Sequence, residues 1–132
     1  MNAVFADTFY FLALLNDRDA AHTRAMQFDA TARQLVTTAW VLTEVGDALS
    51  APENRPAFLQ LMETLQGSPD ARIVGPTSEL FNRGLELFRQ RTDKEWSLTD
   101  CISFVAMKDE HITDALTGDR HFEQAGFHAL LK

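Results

Sequence analysis

Short apolar segments alternate along the chain with longer segments whose apolar residues recur at helical spacing. The short segments predict strands at residues 3–6, 34–38, 72–75, 113–117 and 127–131. The longer segments predict helices over residues 8–15, 19–32, 38–50, 57–66, 78–91, 97–108 and 120–124. Strands that alternate with helices favour a parallel sheet covered on both faces, so we expect an α/β fold.

Three aspartates fall where an apolar, strand-like run gives way to a helix. Asp7 lies in VFADTFYFLALL, Asp100 in SLTDCISFVAM and Asp119 in ALTGDRHFEQAGF. Acids at the carboxyl ends of strands in an α/β sheet point into the crevice where such folds bind ligands. We therefore expect these three side chains to face a common crevice.

Glu44 is a fourth candidate, because it interrupts the apolar side of the helix predicted over residues 38–50. On a helical wheel it falls between Trp40 and Ala48, whereas Asp47 lies on the polar face. An acid that points inward needs a proton, a hydrogen-bonding partner or a metal ion. The position of Glu44 therefore indicates that it joins the three aspartates.

Several carboxylates that meet in one crevice repel one another unless a hard cation neutralises them. The four acids thus predict a magnesium or manganese site, and the natural substrate of such a site is a phosphodiester. A second interpretation assigns the aspartates to helix capping, since Asp is a favoured N-cap and Ser97-x-x-Asp100 resembles a capping box. The two interpretations are compatible, because the positive end of a helix dipole helps to keep an acid ionised.

Other polar residues give weaker signals. Asp93 and Glu95 lie in a charged loop, where they are either outer ligands of a cation or simply solvated. His121 follows Asp119 closely and is either a phosphate contact or a partly buried imidazole. The four histidines and the single cysteine show no zinc-ligand spacing.

The aromatic stretch over residues 9–12 also has two interpretations. Consecutive side chains of a helix point in different directions, so these four cannot all face one core from a single helix. The helix is therefore either buried on two sides or packed against a partner.

The composition of the chain limits the classes of protein to which it can belong. The 132 residues suit a single domain over residues 1–132, and 45% hydrophobic with 23% charged residues is ordinary for a soluble protein. No run approaches the roughly 20 apolar residues of a membrane span, and we expect no signal peptide. The single cysteine, Cys101, lies in an apolar helical run, as expected of a buried reduced thiol in the cytoplasm.

The formal net charge of −7 argues against a passive nucleic-acid coat protein, which would present a basic face. It argues less strongly against a nuclease, because bound divalent cations would reverse the field at the site. Part of the negative charge would then belong to the site itself.

The chain resembles the PIN-domain ribonucleases, especially the VapC-type toxins of bacterial toxin–antitoxin pairs, over nearly its whole length. The motifs that carry the resemblance are FADTFYFLALLN, TTAWVLTEVGDALS, WSLTDCISFVAM and ALTGDRHFEQAGF. The last two are the more specific to the VapC-like branch. The acidic quartet of that family, which is both catalytic and metal-binding, falls on Asp7, Glu44, Asp100 and Asp119.

The resemblance implies a three-layer α/β/α sandwich around a mostly parallel sheet of four or five strands. It implies a cytoplasmic Mg²⁺- or Mn²⁺-dependent endoribonuclease that cleaves structured RNA, such as transfer or ribosomal RNA. It also implies homodimers and a small cognate antitoxin, through which alone the protein would be connected to DNA. Contact with RNA needs basic groups near the acids, and the candidates are Arg89, Arg91, Lys94, Lys108 and Arg120.

Two other functions stay open on the sequence alone. One is a catalytically silent PIN-fold module that holds a partner through its aromatic N-terminal helices. The other is a metal-dependent phosphatase or nuclease with a different substrate. The complete acidic quartet argues against the silent module, since a binding module has no need of four converging acids.

Overall fold

A computed structural model describes residues 2–28 and 32–132 of the chain. Across those residues the strands are β1 (Ala3–Ala6), β2 (Gln34–Thr38), β3 (Ala71–Val74), β4 (Asp114–Leu116) and β5 (His128–Ala129). The helices are α1 (Thr8–Leu15), α2 (His22–Met26), α3 (Ala39–Ala48), α4 (Arg55–Gly67), α5 (Ser78–Gln90), α6 (Leu98–Asp109) and α7 (Arg120–Gln124). The predicted order of strands and helices is confirmed.

The strands form one five-stranded sheet in the order β3-β2-β1-β4-β5, and every neighbouring pair is parallel. In the central strand β1, the consecutive residues Val4, Phe5 and Ala6 are each 0% exposed. Successive side chains of a strand point to opposite faces, so both faces of the sheet are covered by helices. The three-layer α/β/α architecture is therefore confirmed, with five strands.

The strand order reverses beside β1. The chain runs outward from β1 through β2 to β3, and then returns to place β4 and β5 on the other side of β1. In open α/β sheets, ligands bind outside the carboxyl ends of the strands at such a switch point. The residues that follow β1 and β4 therefore stand at the expected binding position.

Two helices begin two or more residues away from their predicted starts. The helix predicted over residues 19–32 is much shorter, because the Asp19 carboxylate accepts the backbone N–H of Ala21 at 2.8 Å and forms a turn before α2; residues 29–31 lie outside the described residues. Helix α4 begins at Arg55 instead of residue 57, since Pro56 is tolerated in a first turn, where its missing N–H costs no hydrogen bond.

The aromatic stretch of α1 is buried on two sides. Tyr10 and Phe11 are 6% and 1% exposed and belong to the main hydrophobic core. Phe9 and Leu12 are half-buried on the other side, where they line the pocket described below. The helix is thus buried on one side and half-buried on the other, in agreement with the two-sided interpretation.

None of the helices in the described residues combines the length and the apolar character that a bilayer span requires.

Candidate functional site

A pocket of about 390 Å³ opens at the carboxyl ends of β1 and β4. Its walls are formed by Asp7, Thr8, Phe9, Leu12, Glu44, Glu95, Ser97, Asp100, Asp119 and His121. All four acids that the sequence singles out thus line the same pocket, although they come from four separate segments. One wall is acidic, and Phe9 with Leu12 forms an apolar wall.

Asp7 directly follows β1 and is the most deeply buried of the four acids, at 6% exposure. Its Oδ2 accepts a hydrogen bond of 2.8 Å from the hydroxyl of Thr117, just after β4. The pKa of Asp7 is raised to about 7, mainly by burial and also by the charges of Asp100 and Asp119. The hydrogen bond from Thr117 lowers this pKa and offsets only part of the rise. Asp7 therefore needs a positive partner in the pocket to be fully ionised near neutral pH.

Glu44 reaches the pocket from α3, as its position on the helical wheel predicts. Thr38 begins this helix, with its hydroxyl accepting the N–H of Val41 at 3.1 Å. The Glu44 side chain is half-buried, and its Oε1 accepts a 2.5 Å hydrogen bond from the hydroxyl of Thr8. This bond ties α3 to the start of α1 and holds Glu44 in the wall of the pocket.

Asp100 lies in the first turn of α6 and does not follow a strand, contrary to the prediction. A charged loop precedes the helix, and Ser97 and Asp100 form a complete capping box across its first turn. Seven of the twelve residues of α6 are buried, Asp100 among them, so its first turn opens into the interior and not onto the outer surface. Burial raises the pKa of Asp100, while hydrogen bonds from His121 and the Ser97 N–H act in the opposite direction.

Asp119 is the N-cap of the short helix α7, and its Oδ1 accepts the backbone N–H of His121 at 2.9 Å. Its own N–H donates to the Thr117 hydroxyl at 3.1 Å, so the same threonine holds Asp7 and Asp119. The His121 ring lies between two acids, with Nδ1 3.1 Å from Asp100 Oδ2 and 3.5 Å from Asp119 Oδ1.

Helix capping accounts for two of the three aspartates and not for the third. Asp100 and Asp119 do cap their helices, which is compatible with a second role in the pocket. Asp7 occupies the N-cap position of α1, but its side chain makes no capping hydrogen bond. Capping therefore does not explain why an acid is buried at position 7.

The donor set of the pocket suits a hard divalent cation. One ligand atom each from Asp100, Asp119 and His121 lies within 4.8 Å of the other two. Among the described residues, side-chain hydrogen bonds engage only one oxygen of each of the four carboxylates, so each has a second oxygen that could also bind a cation. Carboxylate oxygens are the preferred protein ligands of Mg²⁺ and Mn²⁺.

The two weaker acidic candidates have different positions. Glu95 lines the pocket with its side chain 87% exposed, and Arg120 lies 3.9 Å away. Asp93 does not line the pocket; it accepts two hydrogen bonds from the guanidinium of Arg91, at 2.9 and 3.0 Å. An outer role in the pocket is thus open to Glu95 and not to Asp93.

The hydroxyl groups that hold the acids were not predicted from the sequence. Thr8 and Thr117 orient Glu44 and Asp7, and Thr117 is 0% exposed. Both threonines follow strands of the central sheet, next to the aspartates of the site. A search for every polar residue at the carboxyl ends of strands, and not for acids alone, would have found them.

The chain is similar to known proteins over nearly its whole length. The sequence profile of the family described as PIN domain matches residues 4–128. The 23S rRNA-specific endonuclease VapC20 of Mycobacterium tuberculosis is 29% identical over 125 residues, which are 94% of this chain and 95% of that protein.

Solved structures agree in fold. The crystal structure of Mycobacterium tuberculosis VapC20, described as a sarcin–ricin loop cleaving toxin, has a TM-score of 0.84 at 27% identity and covers 94% of this chain and 95% of its own. FitAcB from Neisseria gonorrhoeae has a TM-score of 0.66 at 16% identity and covers 96% and 95%. At that identity the second likeness concerns the fold alone.

Proposed function

The chain belongs to the PIN-domain family, and from this we propose that it is a divalent-metal-dependent endoribonuclease that cleaves phosphodiester bonds in structured RNA. The observation that carries the proposal is the convergence of Asp7, Glu44, Asp100 and Asp119 on one pocket at the switch point of the sheet. Acids from four separate segments have no common structural reason to meet there, since like charges in a partly buried pocket destabilise the fold.

The cation that we propose is Mg²⁺ or Mn²⁺, held by Asp7, Asp100 and Asp119 with Glu44 as a direct or outer ligand. A divalent cation in such a site activates water as a nucleophile and neutralises the charge of the phosphoryl group. The raised pKa of Asp7, about 7 because of burial and neighbouring acids, supports the assignment. A cation beside Asp7 favours its ionised form and removes the repulsion among the acids.

Hydrogen bonds within the chain hold the acids of the pocket in fixed positions. Thr117, Thr8 and Ser97 orient Asp7, Glu44 and Asp100 respectively, so the acids are positioned before a substrate arrives. The apolar wall of Phe9 and Leu12 borders the acidic wall and limits the water around the reacting phosphate.

The proposed cation also determines the nucleophile. A cation that activates water would supply the nucleophile itself, so attack by the ribose 2′-hydroxyl is not required. We therefore propose direct hydrolysis without the 2′-hydroxyl, which leaves a 5′-phosphate on the product.

We propose ribosomal or transfer RNA as the substrate, because the similar protein VapC20 is a 23S rRNA-specific endonuclease. With that substrate the chain would be the toxin of a toxin–antitoxin pair, active in the cytoplasm as a homodimer and inhibited by a small cognate antitoxin. Arg120 is the basic residue best placed to contact RNA, since it adjoins Asp119 and is 73% exposed.

The test is a nuclease assay with four matched substrates. A sarcin–ricin loop hairpin, a transfer RNA and DNA oligonucleotides of both sequences are incubated with the full chain in Mg²⁺, Mn²⁺ or EDTA. We expect cleavage of at least one RNA at a defined position, with a 5′-phosphate product, and no cleavage in EDTA. Equal cleavage of the DNA, or cleavage of RNA that persists in EDTA, would contradict the proposal.

A further inference from the structure

The imidazole of His121 lies between the carboxylates of Asp100 and Asp119. Its Nδ1 lies 3.1 Å from Asp100 Oδ2 and 3.5 Å from Asp119 Oδ1. We propose that His121 is a direct ligand of the divalent cation and gives this site a preference for Mn²⁺ over Mg²⁺. The inference rests on the proposed metal-dependent function.

The distances among the three groups match those of ligands on one cation. Two adjacent ligand atoms on an octahedral cation, each roughly 2.1 Å from the metal, are about 3 Å apart. The separations of 3.1 and 3.5 Å from Nδ1 to the two carboxylate oxygens are close to that value. Each of these two oxygens accepts a backbone N–H and retains a further lone pair, so a cation would bind all three atoms with only small movements of the side chains.

The ring is held in this position by the backbone beneath it. The N–H of His121 donates to Asp119 Oδ1 at 2.9 Å, and the side chain is only 20% exposed. The next residue, Phe122, is 0% exposed and packs edge-on against Phe104 of α6 with ring centroids 4.9 Å apart. Helix α7 thus carries His121 on a rigid support fixed to the helix that carries Asp100.

If His121 only formed a hydrogen bond to Asp100, the hydrogen of its ring would lie on a different nitrogen. A ring that only orients Asp100 carries its hydrogen on Nδ1, whereas a ring that binds the cation through Nδ1 carries it on Nε2. The backbone favours the ligand role, because Asp100 Oδ2 already accepts the N–H of Ser97 at 3.2 Å and Asp119 Oδ1 accepts the N–H of His121 at 2.9 Å. Neither oxygen needs a hydrogen from the ring, so Nδ1 can present its lone pair to a cation.

Ligand chemistry predicts the metal preference. Mg²⁺ is a hard cation that binds oxygen and keeps its water, whereas imidazole nitrogen binds the transition metals more readily. Exchange of this one nitrogen for an oxygen should therefore weaken Mn²⁺ and leave Mg²⁺ nearly unchanged. Asparagine makes that exchange, since its Oδ1 occupies nearly the same place as Nδ1 of histidine.

The surface of the protein offers a matched control. Nδ1 of His128 lies 3.0 Å from Asp114 Oδ1, a second histidine–aspartate pair that is outside the pocket and has its imidazole 76% exposed. The variant His128→Asn should behave as the unchanged protein in every measurement of metal binding.

Pulsed electron paramagnetic resonance of the full chain loaded with Mn²⁺ alone tests the ligand directly. We expect the modulation of a coordinated imidazole nitrogen in the unchanged protein and in His128→Asn, and its loss in His121→Asn. Bound Mn²⁺ without this modulation in the unchanged protein, or modulation that survives in His121→Asn, would overturn the inference while leaving the metal site in place.

Calorimetric titration with Mn²⁺ and Mg²⁺ separately tests the preference. We expect His121→Asn to weaken Mn²⁺ binding by at least about tenfold, because even the outer hydrogen-bonding partners of metal ligands typically contribute that much to affinity, with Mg²⁺ binding changed by less than about threefold. An equal loss for both cations would overturn the preference. Failure of the unchanged protein to bind either cation would overturn the inference together with the proposed function, which distinguishes it from the outcomes above.

Discussion

The hydroxyl of Thr117 donates a 2.8 Å hydrogen bond to Oδ2 of Asp7, although the two residues are 110 positions apart. Thr117 is 0% exposed and Asp7 6%. The same hydroxyl oxygen accepts the N–H of Asp119 at 3.1 Å. One threonine therefore joins the ends of the two central strands at the point where the acids meet.

Replacement of this threonine by valine, which keeps its shape, should destabilise the protein. Thr117→Val leaves the Asp7 carboxylate and the Asp119 N–H without their partner, which costs about 1–3 kcal/mol in the free energy of unfolding. Urea denaturation of Thr117→Val and Thr117→Ser measures the effect. The serine variant retains the hydroxyl and should lose less; equal stability of the two variants would show that the hydrogen bonds are not what matters.

Without divalent cations, stability should fall as the pH rises toward neutrality. Burial raises the pKa of Asp7 to about 7 from the ordinary 3.8, so the folded protein retains a proton that the unfolded chain has lost. Between these values the folded state binds more protons, and unfolding becomes easier as the pH increases, by a few kcal/mol in all. Burial raises the pKa of Asp100 too, which adds to the same trend.

The variant Asp7→Asn isolates this effect, because its side chain does not ionise. In EDTA we expect Asp7→Asn to approach the unchanged protein in stability near pH 4 and to exceed it progressively up to about pH 7. Urea denaturation across this range measures the difference. Asp17→Asn, at an exposed position, should run parallel to the unchanged protein; a parallel curve for Asp7→Asn would contradict the assignment.

Divalent cations should raise the melting temperature. A cation that binds only the folded state stabilises it by about 2.7 kcal/mol at a concentration 100-fold above its dissociation constant, or roughly 10 °C for a domain of this size. Asp100→Asn should abolish most of this shift and the nuclease activity, while Asp17→Asn should keep both. Differential scanning calorimetry with and without Mg²⁺ measures it, and a melting temperature that is insensitive to the cation would contradict the metal site.

The close contact of α5 with α6 should depend on Gly84. A Cβ atom at this position would lie 2.3 Å from Cγ1 and 3.0 Å from Cα of Ile102, so the helices would have to move apart. We expect Gly84→Ala to cost about 1–3 kcal/mol in the free energy of unfolding. Gly67→Ala is the matched control, because nothing lies within 4 Å of its added Cβ at the end of α4; equal effects of the two changes would contradict the contact.

Local patterns explain why the elements were predictable. The Thr38 and Ser97 caps that begin α3 and α6 are short-range hydrogen bonds, visible in the spacing of residues. The predictions failed where a local side chain competed with the helix, as at Asp19 before α2. Asp100 was misplaced relative to the strands, because a capping box after a loop and a strand end followed by a helix look alike in sequence.

The acids of the candidate site were predictable from the sequence, whereas the groups that hold them in place were not. An acid on the apolar side of a helix, such as Glu44, stands out in sequence because burial of a charge is costly. Thr8 and Thr117 do not stand out, since threonine is ordinary in strands and at their ends. The role of His121 depends on its distance from Asp100, which is 21 positions away.

By itself, the sequence determined the alternation of strands and helices and the identity of the four acids, because periodicity, capping and misplaced charge are properties of neighbouring residues. Only the tertiary structure decided that Thr117 holds Asp7, that His121 stands between two carboxylates, and that the pKa of Asp7 rises to about 7. Burial and contact between distant positions arise from packing of the whole sheet and its helices, and no local stretch of the chain encodes them.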